Sequence, residues 1–164
     1  MKIALIGKAG TGKSTLAKLF WTIGWTVINC DEEVHKAYEY TECKDDIFNY
    51  LVVTYGADII DGRAQKINRK KLAKILANNP WKRKKLEDLL YEKIFKPLIK
   101  KASQYHKNVL VDGILPRFAT KGFDLVLYAW IDNKERLRRL RGRGMDNSQI
   151  AKIDQIQSEW KMPW

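Results

Sequence analysis

Residues 7–14, Gly7-Lys8-Ala9-Gly10-Thr11-Gly12-Lys13-Ser14, constrain this chain more than any other stretch. They match Gly-x-x-x-x-Gly-Lys-Ser/Thr in full, and their surroundings fit as well. The apolar run Lys2–Ile6 reads as a buried strand ahead of the loop. Behind it Leu16, Leu19, Phe20 and Ile23 recur at helical spacing, and Gly24 supplies a C-terminal stop. Strand, glycine loop and helix in that order build a cradle for phosphate. The glycines let the backbone curl until successive N–H groups point at phosphate oxygens, and the helix N-terminus adds its partial positive charge. Lys13 reaches the β- and γ-phosphates as a mobile charge, and the Ser14 hydroxyl suits Mg²⁺. Gly7, Lys8, Ala9, Gly10, Thr11, Gly12, Lys13, Ser14 and Thr15 are therefore the expected contacts to Mg·ATP. The alternative, a glycine turn that merely contains Lys-Ser, does not explain the flanking strand and helix.

Further strands are expected at Trp25–Ile28, leading into Asn29-Cys30-Asp31, at Val109–Asp112, and at Leu125–Ile131, whose unbroken apolar run predicts a central position. Helices are expected over 45–55, with Ile47, Leu51 and Tyr55 on one face, and over 68–77. A long helix starts at Asn79-Pro80, carries Leu86, Leu89, Leu90 and Ile94, and is interrupted at Pro97. Asp132 or Asn133 opens a helix over 134–141, and Asp146 with Gln149 forms a capping-box pattern for a last helix to about Trp160. Strands alternating with helices predict an α/β fold, a P-loop three-layer sandwich on a mostly parallel sheet. The chain of 164 residues is expected to form one domain, 1–164. The stretch of about 44–107 shows helices and no convincing strand, so it reads as a helical insertion by the sheet's carboxyl edge.

Thirty-one Lys and Arg against nineteen Asp and Glu give a net charge of +12, a field that attracts polyanions. The charge is segregated along the chain. Residues 29–62 hold nine acidic residues and two lysines, whereas residues 66–107 hold fourteen basic residues and three acidic ones. No apolar run approaches the roughly 18 residues of a membrane helix. Two cysteines, Cys30 and Cys43, argue against a disulfide framework and fit reduced thiols in a cytoplasmic protein.

Phosphoryl transfer also needs an acceptor and a base. The second strand is expected to end at Asp31, where a carboxylate can take the proton of an attacking hydroxyl; the structural alternative is a helix N-cap. Asp112 ends the third strand and suits a Mg²⁺ or substrate contact, or else a turn before Gly113. His35 lies one helical turn beyond Asp31 and is a substrate contact of lower weight. Arg136, Arg138, Arg139, Arg141 and Arg143 crowd one helix and the turn after it. Arginines on a mobile lid, here about 136–147, offset charge on the transferred group, which makes Arg139 and Arg143 candidate catalytic residues. A solvated basic helix is the alternative for several of them.

The chain resembles the dephospho-coenzyme A kinases over nearly its whole length. The similar features are Gly7–Ser14 with Thr15-Leu16-Ala17-Lys18-Leu19-Phe20, then Val27-Ile28-Asn29-Cys30-Asp31, Ile67–Leu72, Arg83–Leu90 and an Arg-rich segment leading to Gln157. The resemblance implies ATP-dependent phosphorylation of the ribose 3′-hydroxyl of dephospho-coenzyme A. It also implies that Asp31 is the base, that the helical insertion grips the acceptor, and that the Arg-rich turn is the lid. Three departures stand out. Asn29 occupies the place of the family's usual first aspartate, and Tyr91 or Lys93 that of a usual histidine. Asp112-Gly113-Ile114-Leu115-Pro116-Arg117 is similar instead to the Asp-Gly-Phe-Pro-Arg of adenylate kinases, in which the arginine grips the acceptor phosphate. The sequence runs to Trp164, ahead of the segment that in relatives supplies an adenine contact.

Two other functions fit parts of the pattern. A nucleoside or deoxynucleoside monophosphate kinase would keep the fold and use Arg117 on its acceptor. A nucleic-acid-binding ATPase or polynucleotide kinase would use the positive charge, but no groove-reading motif appears in the sequence. The expected partner is a small-molecule acceptor, with no membrane and with the enzyme a monomer or small homo-oligomer.

Overall fold

A computed structural model describes residues 1–38, 45–61, 66–158 and 160. Cys43 and the start of the expected insertion at residue 44 lie outside the described residues. Two compact units divide the chain, one formed by Met1–Cys30 with the chain from Ile99 onward, the other by Asp31–Leu98.

The first unit is built on a four-stranded parallel sheet in the order β2-β5-β1-β6, from β1 (Lys2–Ile6), β2 (Thr26–Asn29), β5 (Val109–Asp112) and β6 (Leu125–Tyr128). Its two middle strands are continuous apolar runs, as burial on both faces requires: Ala4, Leu5, Leu110 and Val111 are each 0% exposed. Helix α1 (Lys13–Thr22) covers one face. Leu16, Ala17 and Phe20 pack there with Ile3, Leu5 and Leu110, and Phe20 meets Trp25 edge-on at 4.9 Å. Leu19 and Ile23, expected on that face, are instead exposed. They fall to the side of the stripe because Ala17 and Phe20 take the seam.

Two expectations for the strands are corrected. The run Leu125–Ile131 forms a strand only as far as Tyr128, and β6 is an edge strand rather than a central one. None of residues 125–131 is fully buried, and Leu125 and Trp130 are exposed, as an edge position allows. In the helical stretch, β3 (Ile60–Asp61) and β4 (Lys66–Ile67) pair antiparallel, a ribbon too short for period-2 patterning to register.

The second unit contains α2 (Cys30–Ala37, of which Cys30 belongs to the first unit), α3 (Asp45–Tyr55), α4 (Arg69–Ala77) and α5 (Pro80–Leu90). Asn68 and Asn79 cap α4 and α5, their side chains accepting from the Lys71 and Lys82 amides at 3.1 Å each. Ile47 and Leu51 are buried as expected. The interruption attributed to Pro97 falls one turn earlier: Tyr91–Phe95 is a π-helical turn before α6 (Lys96–Tyr105). Proline lacks the N–H for the carbonyl four residues back, and the helix absorbs that by widening ahead of it.

Past β5 come α7 (Pro116–Ala119), α8 (Asn133–Gly142) and α9 (Asn147–Ser158). Asp132 caps α8. The capping box of α9 is reciprocal: the Asp146 amide donates to Gln149 at 2.9 Å and the Gln149 amide to Asp146 at 2.8 Å. Among the described residues, no helix is long and apolar enough to cross a membrane.

Candidate active site

The glycine loop leaves β1 at Gly7 and enters α1 at Lys13. Gly10 and Gly12 hold φ of 85° and 95°, left-handed values that side chains resist. Gly10 is also tight in space, since a Cβ there would come within 3.0 Å of Leu140 Cγ and 3.1 Å of Arg136 Cγ. The loop's carbonyls are gathered inward. Lys13 Nζ donates to Gly7 O at 2.8 Å and Lys8 O at 3.1 Å, and Thr11 Oγ1 donates to Lys8 O at 2.8 Å. Ser14 and Thr15 stand in the first turn of α1, where orphan amides and the helix dipole favour an anion.

Beside the loop, in the same unit, the sheet register brings chemistry together. Asp112 pairs with Leu5 on one side and with Asn29 on the other. Paired residues of parallel strands share a face, and Leu5 packs under α1, so Asp112 and Asn29 lie on α1's face at the carboxyl edge. Asp112 is 5% exposed, unusual for a carboxylate without a task. A hydroxyl at Ser14, a carboxylate and an amide oxygen are hard donors of the kind Mg²⁺ takes alongside phosphate. Among the described residues, no three His, Cys, Asp or Glu side chains gather as a metal cluster.

The arginines separate into distinct roles. Arg136, expected on the lid, is 4% exposed. Its Nη2 donates to Asp154 at 2.8 Å, its Nε to Asn133 at 3.1 Å and its Nη1 to Ala9 O at 3.4 Å. Arg138 and Arg139 both donate to Glu135, and these bonds hold its carboxyl down at about 2. A Cβ on Gly12 would lie 3.3 Å from Arg139 Nη1, which puts this guanidinium at the mouth of α1. Arg143 is exposed at the C-cap of α8, followed by Gly144 with φ 80°. Arg117 stacks on the Phe118 ring at 4.1 Å.

In the second unit, Asp31 sits in the first turn of α2 rather than at a strand end. Strand β2 stops at Asn29 because Cys30-Asp31-Glu32-Glu33 opens a helix with three acidic residues on its positive end. Asp31 and His35, one turn apart, line the same groove of about 480 Å³. Val34 of α2, Tyr38 just past its end, and Arg69, Leu72, Ala73 and Leu76 of α4 complete its walls. Burial pushes the Tyr38 hydroxyl up to about 12 despite the nearby Arg69 cation.

A family model described as Dephospho-CoA kinase matches residues 1–162. The chain belongs to that family. The dephospho-CoA kinase of Aquifex aeolicus is 26% identical over 155 residues, covering 92% of this chain and 77% of the relative. That of Helicobacter pylori (strain J99) is 33% identical over 106 residues, 65% of this chain and 50% of the relative. That of Geobacillus kaustophilus is 26% identical over 170 residues, 99% and 81%. The matched stretches thus span between half and four-fifths of these relatives' length. Among solved structures, a Thermus thermophilus protein superposes with TM-score 0.69 at 22% identity, covering 99% of this chain and 86% of that one. The dephospho-CoA kinase from Campylobacter jejuni gives 0.54 at 21%, covering 96% and 81%, so the fold is shared.

The sequence pattern marks the loop that the structure forms between β1 and α1 but not all of what holds it. Gln157 entered the sequence reading only as the end of an Arg-rich segment, with no role, and Asp154 not at all. Their signal was the spacing Ile150, Asp154, Gln157, which places all three on one face of α9, with Ile150 buried.

Proposed function

We propose that this chain transfers the γ-phosphoryl group of ATP to the ribose 3′-hydroxyl of dephospho-coenzyme A. The observation that carries the reading is the loop 7–14, its left-handed glycines and Lys13 arranged at the mouth of α1, in a chain matched by the family model over residues 1–162. Lys13 turns an N–H to the β/γ-phosphates when ATP is bound, and the amides of Gly10–Ser14 hold the remaining oxygens. Ser14 and Asp112 would hold Mg²⁺, which when bound screens the charge of the β- and γ-phosphates, with Asn29 beside Asp112.

The groove of α2 and α4 takes the acceptor. Arg69 suits its diphosphate, and Leu72 and Leu76 suit its aliphatic arm. Asp31 accepts the proton of the 3′-hydroxyl as that oxygen bonds to the γ-phosphorus. The bond from phosphorus to the β–γ bridging oxygen breaks, and ADP leaves. Arg139 and Arg143 serve as the lid charges that offset the spreading negative charge.

Coupled ADP release with a panel of acceptors tests this. Turnover is expected with dephospho-coenzyme A and not with dAMP, dGMP or dTMP; the reverse pattern selects a monophosphate kinase using Arg117. Asp31→Asn is expected to fold and bind ATP yet lose about 100-fold in turnover. Near-normal turnover of that variant moves the base elsewhere.

A further inference from the structure

We propose that Gln157 and Arg136 are positioning residues of the phosphate loop, which makes α9 part of the ATP-binding apparatus without a phosphate contact of its own. The proposal rests on the reading that loop 7–14 holds the triphosphate.

Both backbone polar groups of Ala9 are held from outside the loop. Its N–H donates to Gln157 Oε1 at 3.1 Å, and its carbonyl accepts from Arg136 Nη1 at 3.4 Å. The carbonyls of Gly7 and Lys8, by contrast, are held by Lys13 and Thr11 from within the loop. Lys13 has to turn an N–H toward a phosphate, so its hold on those carbonyls is shared in the loaded state. The contacts to Ala9 do not involve that ammonium. They are also rigidly based. Arg136 is itself fixed by Asp154 and Asn133, and Asp154 and Gln157 stand one turn apart on α9. The buried Ile150 and the reciprocal cap at Asp146 and Gln149 fix the start of that helix. Gly10 completes the fit, because a side chain there would strike Arg136 and Leu140.

A peptide pinned at Ala9 presets the direction of the amides that follow, and a preset donor array costs less to order around an anion. Loss of the Gln157 acceptor frees the Ala9 N–H to rotate. The penalty falls on ATP and not on the acceptor.

The test uses the full chain and Gln157→Leu, which keeps bulk and removes the acceptor. KM for ATP is expected to rise about five- to tenfold, the scale of one hydrogen bond, with KM for dephospho-coenzyme A within about twofold. Equal rises in both constants, or an unchanged KM for ATP, overturn the proposal. Amide hydrogen exchange supplies a second reading on the wild-type protein without nucleotide. The Ala9 amide is expected to exchange at least about tenfold slower than an open chain, to lose that protection in Gln157→Leu, and to keep it in Gln157→Glu. Open-chain exchange of Ala9 in the wild type overturns the proposal even if the leucine variant does not fold. A separate Lys13→Met variant distinguishes the two layers: if it binds ATP normally, the reading of the loop itself has failed.

Discussion

The phosphate loop and the groove of α2 and α4 are two polar regions built on different plans. The loop presents backbone amides, and the side chains around it hold that backbone: Lys13 and Thr11 from within, Gln157 and Arg136 from α9 and α8, all bond to loop main-chain groups. The groove presents side chains, with Asp31, His35 and Arg69 over an apolar wall of Leu72 and Leu76. A backbone site binds any polyphosphate and tolerates little change in shape. A side-chain site chooses its ligand and can be altered one residue at a time. The division suits an enzyme that uses a common donor and a particular acceptor.

Four changes would break or sharpen this contrast. Lys13→Ala removes the charge expected to reach the β/γ-phosphates and is expected to lower turnover by about 1,000-fold in the ADP-release assay. A variant with substantial activity would show that the backbone cradle suffices. Arg69→Met in the groove is expected to raise KM for the acceptor by about tenfold, as for a charged hydrogen bond, and to leave KM for ATP unchanged. A rise in KM for ATP would erase the division of labour. Gly10→Ala forces a side chain into φ 85° against Arg136 and Leu140. It is expected to cost about 1–3 kcal/mol, a Tm drop of several degrees in a scanning melt, where an equivalent exposed glycine such as Gly122 would cost less. The smallest effect concerns alkaline pH. Tyr38 has its proton held up to about 12, against an ordinary value of 10.0. Between those values the unfolded chain has lost the proton and the folded one has kept it, so stability is fully present below pH 10 and falls as pH rises toward 12. Tyr38→Phe is expected to flatten that part of the urea-midpoint profile, and an unchanged slope would mean the groove does not bury the phenol.

Legibility followed how local the cause was. Caps at Asn79, Asp132 and Asp146 were readable because an N-cap needs one side chain and an amide two or three residues away, whereas Asn68 was read into the helix it caps. The central place given to Leu125–Ile131 was wrong because an apolar run does not by itself mean burial: β6 is an edge strand and none of its residues is fully buried. The β3–β4 ribbon was invisible because two residues per strand carry no period. Arg136 read as one of several similar arginines, and its burial depends on Asp154, eighteen residues away on another helix.

By itself, the sequence determined that a strand, a glycine loop and a helix would form a phosphate cradle, since each of those features is set by neighbours along the chain. Only the tertiary structure decided that Asp112 and Asn29 would share α1's face and that Gln157 would reach the Ala9 amide. Those pairings join segments separated by many residues, and their energy depends on register and helix packing, which no local pattern encodes.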